Sequence, residues 1–120
     1  MSTVKNLTQA EFKPALDEPG IMVVDFWAAW CGPCRELAPQ FKRAAQLRPQ
    51  YRFVKVDADA EPALASAYAV RSIPTLLVLR DGEPVASQPG GVDAEYLVKV
   101  LDRVAAGAPS AARPAVAETS

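Results

Sequence analysis

Histidine is absent from this 120-residue chain, and cysteine occurs only twice. The absence of histidine excludes catalysis by an imidazole base and removes a common zinc ligand. Two cysteines cannot build a disulfide framework, and a zinc ion takes about four ligands. This chain alone therefore cannot supply a nitrogen and sulfur site for a metal.

An excess of charge of one sign and long apolar runs are also missing. The net charge is −1 with both signs mixed along the chain, so no basic face predicts binding to nucleic acid or anionic lipid. No run approaches membrane-spanning length, and residues 1–20 contain no continuous apolar segment of the kind that directs export. We therefore expect protein partners, no nucleic-acid or membrane contact, and a cytoplasmic location.

Half of the residues are hydrophobic, which is enough for one domain of this length to bury a core without disulfides or metal. We assign that domain to residues 1–107. Residues 108–120 contain mostly alanine, proline and small polar residues and no aromatic residue, so we expect a disordered tail there.

Hydrophobic periodicity predicts strands and helices that alternate along the chain. The predicted strands cover residues 4–7, 21–28, 52–57, 75–79 and 85–88. The predicted helices begin at a capping box of Thr8 and Glu11, then at Pro33, at Glu61 and at Asp93. This order predicts an α/β domain, a mixed sheet with helices on both faces.

The two cysteines, Cys31 and Cys34, stand at C-x-x-C spacing directly after the apolar run 21–28. Their disulfide would close too small a loop to stabilise a fold, so we interpret the pair as a redox site. A helix that includes Cys34 in its first turn places Cys31 at its N-terminus, where a thiolate is favoured. Cys31 is then the attacking sulfur, and Cys34, further in and less exposed, breaks the mixed disulfide.

The two residues between the cysteines carry no charge. Gly32 lets a partner approach the backbone closely, and Pro33 has the backbone angle that a helix start requires. A cation in this position would stabilise the thiolate and make the disulfide more oxidising. Without one, we predict a reductant rather than an oxidant or an isomerase.

Residues 27–34, Trp-Ala-Ala-Trp-Cys-Gly-Pro-Cys, and the preceding Val-Asp-Phe closely resemble the active-site segment of the thioredoxin family. The similarity extends in register over about residues 4–106. It implies the thioredoxin fold, with four helices around a mixed sheet of five strands in the order first, third, second, fourth, fifth. It also implies a monomeric protein-disulfide reductase active in electron transport and cell redox homeostasis, without a bound cofactor, reduced by NADPH through a flavin-dependent thioredoxin reductase.

Asp25 is the one charged residue within the apolar run 21–28, on the same face of its strand as Trp27. We expect it to lie buried beneath the cysteines with a raised pKa, and to exchange a proton with Cys34. The alternative is a solvated strand end where Asp25 caps other groups. By resemblance Lys55 reaches Asp25 from the neighbouring strand; otherwise it extends to solvent.

The resemblance also implies a substrate-binding surface. Trp30 would present an exposed indole to a substrate, while Trp27 packs beneath the active-site turn, although core packing is an alternative for both. The Ile73–Pro74 bond would be cis and face the cysteines, which offers the Ile73 backbone to an extended substrate segment. Gly90, or its neighbour Gly91, would let that segment approach unless it only serves a turn.

Five residues depart from the family pattern, namely Pro14, Ala69, Ser72, Pro84 and Pro89. They affect substrate preference rather than the redox centre. Ala69 and Ser72 replace glycines that are frequent in the family. The alternative function is a binding module, or a dedicated redox partner with a narrow substrate range, that uses the same fold.

Overall fold

The computed structural model describes residues 4–107. Its elements are β1 (Lys5–Asn6), α1 (Gln9–Leu16), β2 (Ile21–Trp27), α2 (Gly32–Leu47), β3 (Arg52–Asp57), α3 (Pro62–Ala67), β4 (Thr75–Arg80), β5 (Glu83–Pro89) and α4 (Ala94–Ala105). The tail predicted at residues 108–120 lies outside the described residues. Among the helices of residues 4–107, none combines the length and the hydropathy needed to cross a bilayer.

The five strands form one mixed sheet in the order β1-β3-β2-β4-β5. Strands β1, β3 and β2 are parallel to one another, whereas β4 and β5 run antiparallel to their neighbours. This is the strand order that the resemblance implied. The carboxyl ends of β2 and β3 lie side by side, with Trp27 opposite Asp57. That edge of the sheet is where α/β folds usually carry their sites.

Helices cover both faces of the sheet, as predicted. Helices α2 and α4 pack on one face, which includes Val23 of β2, and α1 and α3 pack on the other, which includes Val24. The first six residues of β2 are all buried. A continuous apolar run is typical of such a central strand, because neither of its faces meets water.

Local signals at the start of the chain are also confirmed. The Glu11 N–H donates to the Thr8 hydroxyl over 3.3 Å, and the Thr8 N–H donates to the Glu11 carboxylate over 2.9 Å. Strand β1 is shorter than predicted, with two residues instead of four. Helix α1 ends two residues after Pro14, in agreement with a proline that shortens the helix.

The β4–β5 hairpin turns at Asp81 and Gly82, whose φ angles are +53° and +83°. Positive φ at both central residues matches the right-handed twist of the paired strands. A Cβ at Gly82 would lie 2.6 Å from the Leu16 carbonyl oxygen, so this position requires glycine. Pro84 is tolerated because β5 is an edge strand.

Ala69 adopts φ +57° two residues after the end of α3, following the C-cap residue Tyr68. Its N–H donates to the Ser66 carbonyl, and the Val70 N–H donates to the Ala65 carbonyl. This pair of hydrogen bonds is a Schellman motif, in which the residue with positive φ is usually glycine. Ala69 therefore occupies a glycine position of the fold, and its Cβ strains the backbone.

We predict that Ala69→Gly raises the free energy of unfolding by about 0.5–1 kcal/mol, because glycine adopts this conformation without strain. The matched control is Ala67→Gly at the last residue of α3, which should lower the free energy of unfolding by up to about 1 kcal/mol. Urea unfolding of the three proteins measures both changes. A loss of stability in both variants would contradict the assignment of strain to Ala69.

Candidate functional site

Cys31 and Cys34 form a disulfide between the end of β2 and the start of α2, with their Cα atoms 5.3 Å apart. Cys31 is the N-cap residue of α2, and its Sγ accepts a hydrogen bond of 3.1 Å from the Cys34 N–H. Helix N-termini have unpaired N–H groups and a partial positive charge. The Cys31 sulfur thus occupies the position in which a thiolate is stabilised.

Cys34 is not less exposed than Cys31, so that prediction was wrong. The two residues are 5% and 3% exposed, respectively. Both cysteines form one buried cluster with Ala28, and Trp27 and Ile73 pack against that cluster. The difference between the cysteines therefore lies in the helix N-terminus and not in exposure to solvent.

The turn between the cysteines is open on its outer side. Gly32 and Pro33 are exposed, and they form the first two positions of α2. A Cβ on Gly32 would meet no heavy atom within 4 Å. Another polypeptide can therefore approach the backbone of the turn here without displacing other groups.

Asp25 lies in the middle of the sheet, with Lys55 of β3 and Leu76 of β4 as its register partners. It is fully buried, and neither carboxylate oxygen has a hydrogen-bond partner within residues 4–107. Burial raises the pKa of Asp25 from an ordinary value of 3.8 to about 6, while the positive charge of Lys55 acts in the opposite direction. A group with this pKa accepts and releases protons near neutral pH.

Lys55 was expected either to reach Asp25 or to extend to solvent, and in the structure it does neither fully. Its Nζ is 5.0 Å from the centre of the Trp27 ring, in a cation–π arrangement, and the residue is half-buried. In the part of the chain that the structure describes, no ion pair joins it to Asp25. Lys55 therefore acts on Asp25 through its charge, without a direct bond.

Trp27 is half-buried beneath the active-site turn. Its indole N–H donates to the side-chain oxygen of Asn6 on β1 over 2.8 Å. A cavity of about 170 Å³ beside the ring is lined by Trp27, Ala28, Ala29, Cys34, Arg35, Ala38 and Lys55. This volume exceeds what a water molecule needs, so water can reach the wall that Cys34 shares with Lys55.

Trp30 is the most exposed large apolar residue in the described chain, at 67%. Its indole N–H donates to the Asp59 carboxylate over 2.8 Å. Asp59 is itself fixed, because its N–H donates to the Asp57 carboxylate over 2.9 Å. The ring next to Cys31 is thus held in one orientation with an apolar surface towards solvent.

The Ile73–Pro74 peptide bond is cis, and the Ile73 side chain packs against both cysteines. No hydrogen bond of residues 4–107 engages the Ile73 N–H or carbonyl. Gly90 has φ +85°, and its N–H donates to the Pro74 carbonyl over 2.9 Å. Gly90, and not Gly91, is therefore the glycine beside Pro74.

Around the disulfide, Trp27 and Ile73 pack against the cysteine cluster, and Lys55 lines the same cavity as Cys34, while Asp25 is the register partner of Lys55 on the neighbouring strand. Sequence reasoning missed Asn6 and Asp59, the two acceptors that hold the tryptophan rings. No local pattern marks them, because each is more than twenty residues from its tryptophan. Within residues 4–107, no cluster of three or more acidic, cysteine or histidine side chains is arranged to hold a metal ion.

Comparisons with known proteins agree on one family. A family model described as Thioredoxin matches residues 3–103. Putative thioredoxin 2 of Streptomyces coelicolor is 36% identical over 118 residues, which cover 98% of this chain and 88% of that protein. Thioredoxin 1 of Synechococcus elongatus is 45% identical over 105 residues, which cover 86% of this chain and 98% of that protein. The solved structure of a mutant thioredoxin from Halobacterium salinarum superimposes with a TM-score of 0.81 at 32% identity, covering 88% of this chain and 95% of that one.

We predict that Asp25→Asn raises the free energy of unfolding by about 3 kcal/mol at pH 8. This is the free energy that corresponds to a pKa of about 6 in the folded state and an ordinary pKa of 3.8 in the unfolded state. The folded state binds this proton more tightly than the unfolded state, so ionisation of Asp25 costs stability as the pH rises through about 6. The gain should therefore disappear towards pH 4.

Urea unfolding of the disulfide form at pH 8 and at pH 4 measures this difference. The control is Asp17→Asn at an exposed position, which should change the free energy of unfolding by less than about 0.5 kcal/mol at either pH. An equal gain at both pH values for Asp25→Asn would mean that packing, and not ionisation, is responsible.

Proposed function

The chain belongs to the thioredoxin family, and from this membership we propose that Cys31 is the nucleophile and Cys34 the resolving thiol of its protein-disulfide reductase activity. The observation that carries the assignment is the 3.1 Å hydrogen bond from the Cys34 N–H to the Cys31 Sγ at the N-terminus of α2. A sulfur that accepts this bond is stabilised as a thiolate. Cys34 sits three residues into the helix and has the Cys31 sulfur within reach.

The exchange proceeds in two balanced steps. The Cys31 thiolate attacks one sulfur of a substrate disulfide, forms a mixed disulfide, and releases the other substrate sulfur as a thiolate that takes a proton from water. Cys34 then loses its proton and attacks the Cys31 sulfur. This step releases the second substrate thiolate and leaves the Cys31–Cys34 disulfide, so two electrons pass to the substrate.

Asp25 accepts the Cys34 proton in the second step. Its burial supports this role, because a carboxylate without hydrogen bonds, and with a pKa of about 6, is a stronger base than an exposed one. The cavity that Cys34 lines with Trp27 and Lys55 brings water to the Cys34 side of this transfer. In this scheme Lys55 and Trp27 support the proton transfer and do not touch the substrate.

The substrate lies across Trp30, Ile73 and the open side of Gly32. The indole of Trp30 offers an apolar platform, and the Ile73 N–H and carbonyl are available to pair with an extended segment. Gly90 borders the same surface beside Pro74 and has no Cβ to obstruct a substrate chain. Pairing through the backbone fits a reductase that accepts many protein sequences.

The electrons come from NADPH through a flavin-dependent thioredoxin reductase, which returns the Cys31–Cys34 disulfide to the dithiol. The uncharged Gly32 and Pro33 support this direction, because they add no cation that would make the disulfide more oxidising. The protein itself needs no bound cofactor.

The protein works as a monomer in the cytoplasm and contributes to redox homeostasis there. A dithiol reductant is useful in a compartment that keeps thiols reduced, and the accessible end of the domain is suited to transient protein partners. Cell fractionation tests the location. Sedimentation tests the oligomeric state against the chain mass of 12.8 kDa.

We predict that the purified protein reduces insulin disulfides with dithiothreitol, and with NADPH plus a thioredoxin reductase. Cys31→Ser should abolish turnover with both donors, because it removes the attacking sulfur. Cys34→Ser should instead accumulate a covalent mixed disulfide with the substrate, visible on non-reducing gels.

Turnover with dithiothreitol alone would contradict the proposed electron donor. If neither donor supports turnover, the proposed general reductase activity is contradicted and the binding module is favoured. If Cys31→Ser accumulates a mixed disulfide through Cys34, and Cys34→Ser accumulates none through Cys31, the assignment of the two sulfurs is reversed.

We further predict that Asp25→Asn lowers the rate of insulin reduction on the order of tenfold at pH 7, because Cys34 then lacks its base. The difference should narrow towards pH 9, because hydroxide then competes with Asp25 for the Cys34 proton. Stopped-flow rates from pH 6 to pH 9 measure both effects. Equal rates for the two proteins across this range would rule out Asp25 as the base.

A further inference from the structure

Asn6 lies on the two-residue edge strand β1, away from the cysteines, and its side chain is exposed. It has one specific contact with the site, because its side-chain oxygen accepts the Trp27 indole N–H at 2.8 Å. An indole has a single N–H and one donor direction. This bond therefore fixes how the Trp27 ring is turned about its own axis.

The sheet register places Asn6 in line with the base of the reaction. Asn6 is the register partner of Lys55, and Lys55 is the register partner of Asp25, on the parallel strands β1, β3 and β2. Side chains of register partners lie on the same face of a sheet, and Trp27, two residues after Asp25, shares that face. Four side chains from three strands thus lie on the sheet face that α2 covers.

The Trp27 ring contacts two members of this row, Asn6 and Lys55. Its edge is bound by Asn6, and the Lys55 Nζ lies over its face at 5.0 Å from the ring centre. Trp27 and Lys55 also line the cavity that Cys34 borders. The ring thus supports the Lys55 ammonium at the edge of the cavity that Cys34 borders.

We propose that Asn6 is a positioning residue of the disulfide-reduction reaction, which holds the Trp27 indole and through it places the Lys55 ammonium beside Asp25. The inference rests on the proposed role of Asp25 as the base. Asn6 touches neither the substrate nor the reacting sulfurs, and acts only through Trp27 and Lys55.

Lys55 is the group through which this effect reaches Asp25. From β3, Lys55 is the one charged residue that contributes to the pKa of Asp25 within residues 4–107. From β4, the register partner Leu76 carries no charge. From α2, Cys34 titrates once it is reduced, and the Arg35 guanidinium donates to the Ala29 carbonyl at the far wall of the cavity.

Loss of the Asn6 acceptor frees the indole, and a lysine without its aromatic support extends into solvent. The charge that favours ionised Asp25 then lies further away, so the pKa of Asp25 rises. Less carboxylate is available near neutral pH, and the Cys34 step slows.

The test compares Asn6→Ala with the wild type and with Lys5→Ala. Lys5 shares strand β1, but it borders the groove on the opposite face with Leu7 and Met22, so Lys5→Ala controls for weakening of the strand. The readouts are the NMR titration midpoint of the Asp25 carboxyl group in the oxidised protein and the rate of insulin reduction at pH 6.5. We expect Asn6→Ala to raise the midpoint by about half to one pH unit and to lower the rate about 1.5- to 3-fold, with no change in Lys5→Ala.

A double-mutant cycle with Trp27→Phe isolates the pathway, because phenylalanine has no N–H for Asn6 to accept. Asn6→Ala should add no further shift of the midpoint in that background. The proposal is overturned by an unchanged or lowered midpoint in Asn6→Ala, by an equal shift in Lys5→Ala, or by an undiminished shift in the Trp27→Phe background. The titration midpoint of Asp25 is measured without turnover. It therefore tests whether Asn6 positions Lys55 beside Asp25 even if the rates of Asp25→Asn show that Asp25 is not the base.

Discussion

The burial of one carboxylate without a hydrogen bond is the constraint on which the site depends. Asp25 sits at the centre of the sheet, fully buried, with both oxygens unpartnered within the described residues, and its ionisation opposes folding. The domain tolerates this cost because the same strand, β2, is buried on both faces and contributes a large apolar area. The central strand is therefore both the main source of apolar burial and the position of the costly group. An edge strand, half exposed to water, would solvate the carboxylate and return its pKa to the ordinary range.

The sheet and the helix make different contributions to the same chemistry. The end of β2 delivers Cys31 to the N-terminus of α2, where backbone groups stabilise a thiolate without any charged side chain. The parallel pairing of β2 with β3 then sets Lys55 beside Asp25, below the sulfurs. The proposed nucleophile and the proposed base thus lie in two different environments, a helix terminus for Cys31 and a sheet interior for Asp25. Neither depends on a histidine, which this chain lacks.

Much of this arrangement was predictable from the sequence. The run 21–28 predicted a strand covered on both faces, and its single acid pointed to Asp25, because a charge in an apolar run stands out locally. The strand order and the Ile73–Pro74 bond came from the family resemblance alone, since periodicity says nothing about which strands pair. Asn6 and Asp59 escaped prediction because an exposed polar residue is ordinary in sequence, and its partner tryptophan lies far along the chain. The prediction that Cys34 is less exposed than Cys31 was wrong, because both cysteines lie in one buried cluster with Ala28, against which Ile73 packs.

Asp25 and Ala69 both lower the stability of this domain, but only the cost at Asp25 is linked to the proposed chemistry. Ala69 holds a left-handed conformation that glycine would adopt freely, and it belongs to a helix end with no contact to the cysteines. Asp25 is also unfavourable for folding, yet the same burial gives its carboxyl group the raised pKa on which its proposed role as a base rests. Removing the strain at Ala69 should therefore leave the chemistry intact, whereas replacing Asp25 removes the proposed base. On the proposed mechanism, a stabilising substitution leaves function intact only where the unfavourable group takes no part in the proton transfer. Ala69 meets this condition, because it lies outside the row from Asn6 through Trp27 and Lys55 to Asp25.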